Sequence, residues 1–352
     1  AKSAAGRPSC SVTADVPRPG AACAVDLLGV LMMSVGFAGT LNGASRVAFE
    51  QTLLDDVWGK LQGGQVERGM NQLMPGLRTT RLASEPREWA RLVQVCLNHP
   101  LCGLLYQDPF THRAFHKPRG YAGDAVLMDY IYSREEGWPQ PTGTSDLGCK
   151  IFEYLTATPA CEGVRSRRAF VADLLDRLID EVHRPHILSI AAGHLREASL
   201  SAAVRRKKIG RYVALDADAE SLKEVGRCYG RFGVEISHNS IRQLLTQKTD
   251  LGLFDVVYST GLFDYLQQTT AQRLVGVMFQ MLRPGGRLIV ANFLPGIPDL
   301  GYMESYMDWK LVYRSRLDMV DMSANIPQAQ IRDIRIFTEE NQNIIFLQVT
   351  RQ

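Results

Sequence analysis

The chain has 352 residues, 45% of them hydrophobic and 22% charged, and its 40 Lys+Arg against 37 Asp+Glu leave a net charge of +3. These proportions are those of a soluble globular protein and exclude a disordered, collagen-like or disulfide-dense chain. The length suits two domains, and the near-balanced charge gives no basis for nucleic acid as a partner.

Residues 1–20 are rich in Ala, Ser, Pro and Gly and read as a disordered tail. Residues 21–39 are largely apolar but contain Asp26 and only just reach the length of a bilayer span. Pro17, Arg18 and Pro19 make a poor flank for a signal peptide. This segment therefore reads as a packed strand or helix rather than a membrane span. Residues 46–180 are helical in pattern, with apolar residues three and four apart over 47–61, 88–97 and 164–182. Residues 137–148 carry Gly, Pro, Ser and Thr and read as a loop. After His183 short buried strands alternate with helices. Strands are expected at 186–190, 211–216, 233–237, 254–259 and 287–292. Helices are expected at 196–207, 219–229 and 270–282. Two long strands, 331–337 and 344–349, flank a turn and form a hairpin. Such alternation implies a doubly wound α/β sheet. Seven scattered cysteines (Cys10, Cys23, Cys96, Cys102, Cys149, Cys161, Cys228) contain no C-x-x-C. They point to a reducing, cytoplasmic setting and to no metal site.

The first strand runs into Ala191-Ala-Gly193, a turn small enough to bring helix N–H groups close to a ligand or simply to turn the chain. The second strand ends on Asp216, twenty-three residues after Gly193, the distance at which a carboxylate can accept the two ribose hydroxyls of an adenosine cofactor. Asp218 is the better N-cap for the following helix, which frees Asp216. Asn239 offers a donor and an acceptor to an adenine edge, or serves a turn. Pro284-Gly285-Gly286 is a structural turn.

In order, Ile187-Leu-Ser-Ile-Ala-Ala-Gly, Tyr212-Val-Ala-Leu-Asp, His238-Asn-Ser, Phe254-Asp-Val-Val-Tyr-Ser-Thr-Gly and Leu282-Arg-Pro-Gly-Gly-Arg resemble a class I S-adenosylmethionine-dependent methyltransferase. The resemblance implies a Rossmann-like core at 161–352, with a mostly parallel seven-stranded sheet closed by an antiparallel hairpin. A helical acceptor or lid domain would occupy 21–160. S-adenosylmethionine would be the cofactor, held by Ala191, Gly193, Asp216, Ala217, Asn239, Ser240 and Ser259. The chain departs from the family's glycine-rich loop. Ser189 stands at the acidic position, Ala191 and Leu195 replace glycines, and Arg196 or Glu197 would compensate.

The segment Lys117-Pro-Arg-Gly-Tyr-Ala-Gly-Asp, with Val164-Arg-Ser-Arg-Arg, resembles a bacterial subfamily that includes enzymes making the methyl ester of 3-hydroxypalmitic acid, and similar domains tailor secondary metabolites. Lys117 and Arg119 suit an acceptor carboxylate. Tyr121 would close over the cofactor or the acceptor, and Asp124 would hold the methionine ammonium. The same charges would equally dock the helices on the sheet. Arg165 and Arg168 read as well as a solvated helix face. Tyr302, Tyr306, Trp309 and Tyr313, spaced by four, would overhang the strand ends and meet the acceptor, or serve core packing or a homodimer contact. His116, His194 and His238 are candidate bases; with Tyr121 and Arg119, His116 completes the expected catalytic set. The expected activity is methyl transfer to a small molecule. The candidates are a hydroxy-fatty-acid carboxylate, an N-, O- or C-acceptor of secondary metabolism, or no transfer at all in a cofactor-binding regulatory module.

Overall fold

A computed structural model describes residues 43–138, 141–246 and 250–352. The expected tail at 1–20 and the apolar segment 21–39 lie outside them. Aliphatic and β-branched runs form β1 (His186–Ile190), β2 (Arg211–Asp216), β3 (Val234–His238), β4 (Phe254–Ser259), β5 (Leu282–Phe293), β6 (Ile331–Thr338) and β7 (Ile344–Arg351). They make one seven-stranded sheet in the order β3-β2-β1-β4-β5-β7-β6. The first five are parallel; β7 runs antiparallel to both β5 and β6. Its turn is tied by Glu339, whose carboxylate accepts the backbone N–H groups of Asn341, Asn343 and Ile344.

Side chains alternate across the strands and build two cores. Ile187, Tyr212, Val256, Tyr258 and Ile289 face one way, together with the N-terminal helices. Leu188, Val213, Val257, Leu288 and Val349 face the other, against the helix Gln268–Gln280. Residues from Val47 onward form one compact unit, so the helices before residue 160 share a buried core with the sheet. Among the described residues no helix is long and apolar enough to cross a membrane.

Three expectations shift. The helix expected at 196–207 is two short ones, Glu197–Leu200 and Ala202–Arg205. Ser201 divides them, because its hydroxyl caps Val204 while the Asp176 carboxylate takes the N–H groups of Ala202 and Ala203. Helical spacing at 302–313 is realised only in Leu300–Ser305, and Trp309 and Tyr313 lie in non-helical chain. The helix Pro159–Glu181 does not present Arg165 and Arg168 to solvent; both are buried. Arg165 donates to the Thr156 carbonyl at 2.6 Å. Arg168 pairs with Glu135 and Glu136 and stacks 4.3 Å over the Tyr132 ring. The Arg168 contacts hold the helix Ala125–Glu136 against it.

Candidate active site

A cleft of about 350 Å³ opens at the carboxyl ends of β1, β2 and β4, where ligands bind in open α/β sheets. Its floor is the 189–197 segment. Ala191, Gly193 and Leu195 all have left-handed backbone, with φ of 53°, 52° and 52°. Ala192 N–H donates to the Leu215 carbonyl at 3.1 Å and ties the loop to β2. The alanine and leucine thus adopt the conformation that glycine adopts without strain. Ala191→Gly should stabilise the protein by about 0.5–1 kcal/mol, relief of left-handed strain less the added freedom of the unfolded chain. Urea unfolding measures it, and a destabilised variant would show that Ala191 is not strained.

Asp216 ends β2 and is buried at the cleft wall. One carboxylate oxygen accepts Gly193 N–H and the other Asp218 N–H, both at 2.8 Å. Each oxygen keeps a lone pair for a further donor. Asp218 caps the helix Ala219–Tyr229, as the sequence suggests. Ala217 and Asn239 complete this end of the cleft, with Leu215, Ile241 and Leu262 as apolar surfaces.

The 117–124 segment forms the opposite wall, and most of its charges are used by the protein. Lys117 pairs with Asp308. Arg119 donates to Asp218 at 2.7 Å and to the Ser221 hydroxyl at 2.8 Å. Asp124 is fully buried, caps Leu127 N–H at 2.8 Å and takes two hydrogen bonds from Arg113. It is held by these partners and does not line the cleft, which corrects the ammonium role expected for it. Lys117 and Arg119 likewise lie outside the cleft lining and dock the segment on the sheet. Tyr121 and Gly123 do line it. A Cβ on Gly123 would stand 2.3 Å from the Tyr265 hydroxyl and 2.8 Å from Trp309, so the backbone must be bare there. Tyr121 and Tyr265 meet edge to face at 6.1 Å. Burial holds both phenols well above their usual range, so they are donors rather than bases.

The aromatic run divides. Trp309 lines the cleft and donates from its indole to the Tyr265 hydroxyl at 2.8 Å. Tyr302 and Tyr306 are buried away from it, and the Tyr302 hydroxyl lies 2.8 Å from the Thr111 hydroxyl. Their expected acceptor contact is replaced by packing between helices.

His116 is exposed, stacked on His112 and outside the cleft, and His238 sits at the Ala217 carbonyl on the edge strand. Neither serves as a base in the cleft. His194 lines the cleft, with Nδ1 2.8 Å from Asp129 and Nε2 3.5 Å from Arg119. Burial raises the Asp129 carboxyl, and hydrogen bonds from Arg196 and His194 together outweigh it and leave it below the usual range. Ser240 forms a capping box with Gln243 and does not line the cleft. Ser259 also stays out of it, and its buried hydroxyl has no partner among the described residues.

Among the charged lining residues, Asp129 and Asp264 have no place in the sequence reading, and Arg167 enters it only as one letter of the 164–168 segment. Asp264 lies five residues beyond the end of β4, within a 3-10 turn. Burial pushes its carboxyl up to about 6, against a hydrogen bond from Phe293 N–H at 2.7 Å. Its place beyond a strand's carboxyl end was the available signal.

Residues 188–290 match the family of methyltransferase domains. The sheet has the Rossmann-like fold found in class I methyltransferases, with an antiparallel hairpin at its C-terminal end. A possible exported protein from Bordetella parapertussis shares this fold at TM-score 0.52 and 15% identity, over 84% of this chain and 96% of that one. The N-methyltransferase NodS from Bradyrhizobium japonicum aligns at TM-score 0.38 and 15% identity, over 53% of this chain and 96% of its own. The magnesium protoporphyrin IX methyltransferase of Synechocystis aligns at TM-score 0.44 and 11% identity, over 64% and 98%. No curated protein matches the sequence.

Proposed function

We propose that the protein is an S-adenosylmethionine-dependent methyltransferase acting on a small molecule. The observation that carries this reading is Asp216: a buried carboxylate at the end of β2, inside the matched segment, with lone pairs left toward a cleft of suitable volume. The ribose would sit on Asp216, and the adenine between Leu215, Ile241 and Leu262 with Asn239 at its edge. When bound, the cofactor supplies an electrophilic methyl on a sulfonium. The chain's own contribution is alignment and exclusion of water. Tyr121, Tyr265 and Trp309 line that end, and the two tyrosine phenols remain protonated donors at neutral pH.

The acceptor reading is a hydroxy-fatty-acid carboxylate or a related signal. Val164, Phe293, Trp309 and Leu311 give the β5 end of the cleft apolar walls. A carboxylate needs no base, because it is ionised at neutral pH. A second reading, an amine or hydroxyl acceptor in tailoring chemistry, is favoured by Asp264, whose raised carboxyl suits proton removal near neutral pH.

Titration with S-adenosylhomocysteine tests the cofactor site. The protein should bind it, and Asp216→Ala should bind at least about tenfold more weakly, as expected for lost hydrogen bonds to a charged group. A wild-type protein that binds none is no methyltransferase of this kind; unchanged affinity in the variant removes the ribose assignment. Labelled methyl groups offered with fatty acids and amino acids then separate the acceptors, since an ester is cleaved by base and an N-methyl product is not.

A further inference from the structure

Four arginines are buried among the described residues: Arg165, Arg167, Arg168 and Arg314. Three are paired. Arg165 donates to backbone carbonyls, Arg168 to two glutamates, and Arg314 to two carbonyls, Asn292 and Gln268. Arg167 differs. Only 6% of it is exposed, and it makes no hydrogen bond or ion pair with any described residue. It lines the cleft, and its Nη2 lies 3.8 Å from where a Cβ on Gly261 would stand, beside the loop that follows β4.

A buried guanidinium without a counter-ion is unfavourable, and a fold that keeps one needs compensation from elsewhere. The protein supplies little. Asp264 and Glu197 act on Arg167 only through space. Each already accepts a hydrogen bond, from Phe293 N–H and from the Tyr258 hydroxyl. Burial also biases both toward the neutral acid. A planar fork of donors with no acceptor among the described residues therefore lines a cavity with room for a ligand.

We propose that Arg167 is the anion-binding residue of this cleft and that its ligand is a carboxylate. A guanidinium fork matches a carboxylate with two parallel hydrogen bonds. A phosphate dianion fits less well. The other arginine lining the cleft, Arg196, is held by Asp129 and Glu224, and four acidic residues line the same walls. The inference rests on the methyltransferase reading for the source of the carboxylate, either the amino-acid group of the cofactor or the acceptor itself.

The test uses the full chain with Arg167→Met and Arg167→Lys. Three probes distinguish the sources: S-adenosylhomocysteine, 5′-methylthioadenosine (the same nucleoside without a carboxylate), and hexanoate added to protein saturated with S-adenosylhomocysteine, with hexanamide as the neutral control. The ligand-free Arg167→Met protein should melt no lower than wild type, because it loses an uncompensated charge. If the cofactor supplies the carboxylate, Arg167→Met weakens S-adenosylhomocysteine at least tenfold and leaves 5′-methylthioadenosine unchanged. If the acceptor supplies it, S-adenosylhomocysteine is unchanged and hexanoate binding is lost, with hexanamide weak throughout. Arg167→Lys should keep part of whichever affinity is lost. Affinities for both S-adenosylhomocysteine and hexanoate that match wild type overturn the proposal. So does a marked fall in ligand-free melting temperature in both variants, which marks a structural arginine. A wild-type protein that binds no S-adenosylhomocysteine defeats the methyltransferase reading instead, and hexanoate added to the free protein still decides the role of Arg167.

Discussion

Asp124→Ala should lower the free energy of unfolding by about 3–5 kcal/mol, the range for breaking a buried ion pair. The carboxylate is fully buried and takes three hydrogen bonds at 2.7–2.9 Å. Without it the Arg113 guanidinium, four-fifths buried, loses its only ion-pair partner among the described residues. The helix Ala125–Glu136 also loses its N-cap, itself worth roughly 1 kcal/mol. Denaturant unfolding measures the loss, and a change below about 1 kcal/mol would mean that the pair is not structural. S-adenosylhomocysteine affinity should stay within about twofold where the variant is folded, because Asp124 does not face the cleft.

Arg314→Met should cost about 3–5 kcal/mol. The guanidinium donates to the carbonyls of Phe263 and Leu266 at 2.6 and 2.5 Å, and to Asn292 and Gln268 at 2.6 and 2.9 Å. Methionine fills similar space but leaves three acceptors unpaired, since the Phe263 carbonyl keeps the Leu266 N–H at 3.1 Å, at roughly 1–3 kcal/mol for each one that stays dry. Relief from burying the charge offsets part of this. These bonds clamp the turn carrying Asp264 and Tyr265, so amide exchange at 263–266 should accelerate more than in β1. An increase confined to β1, or stability equal to wild type, would refute the clamp.

The strand ends were legible because a doubly wound sheet repeats the same demand: an apolar run, then a turn, at each crossing. Asp216 and Asp218 could be separated in advance, since only one sits where the helical period begins. The charged segment 117–124 was harder. Its residue types suit a ligand and a docking surface equally. The decision depends on Asp308, Asp218 and Arg113, which the fold brings to it. The three arginines of 165–168 show the same limit. Successive helix positions turn by about 100°, so neighbours in sequence face different surroundings. Which one meets the cleft is set by how the helix Pro159–Glu181 docks, and nothing local to the motif records that.

The placement of β7 bears on how the chain assembles. It is last in sequence but lies inside the sheet, with β5 on one side and β6 on the other. During synthesis β6 emerges first and has no strand to join until β7 follows. The parallel strands can gather earlier, yet one long edge of β5 stays bare until the hairpin closes over it. An unpaired β5 edge is open to pairing with another chain, so the interval before residues 344–351 arrive is when a nascent molecule is most exposed to misassembly.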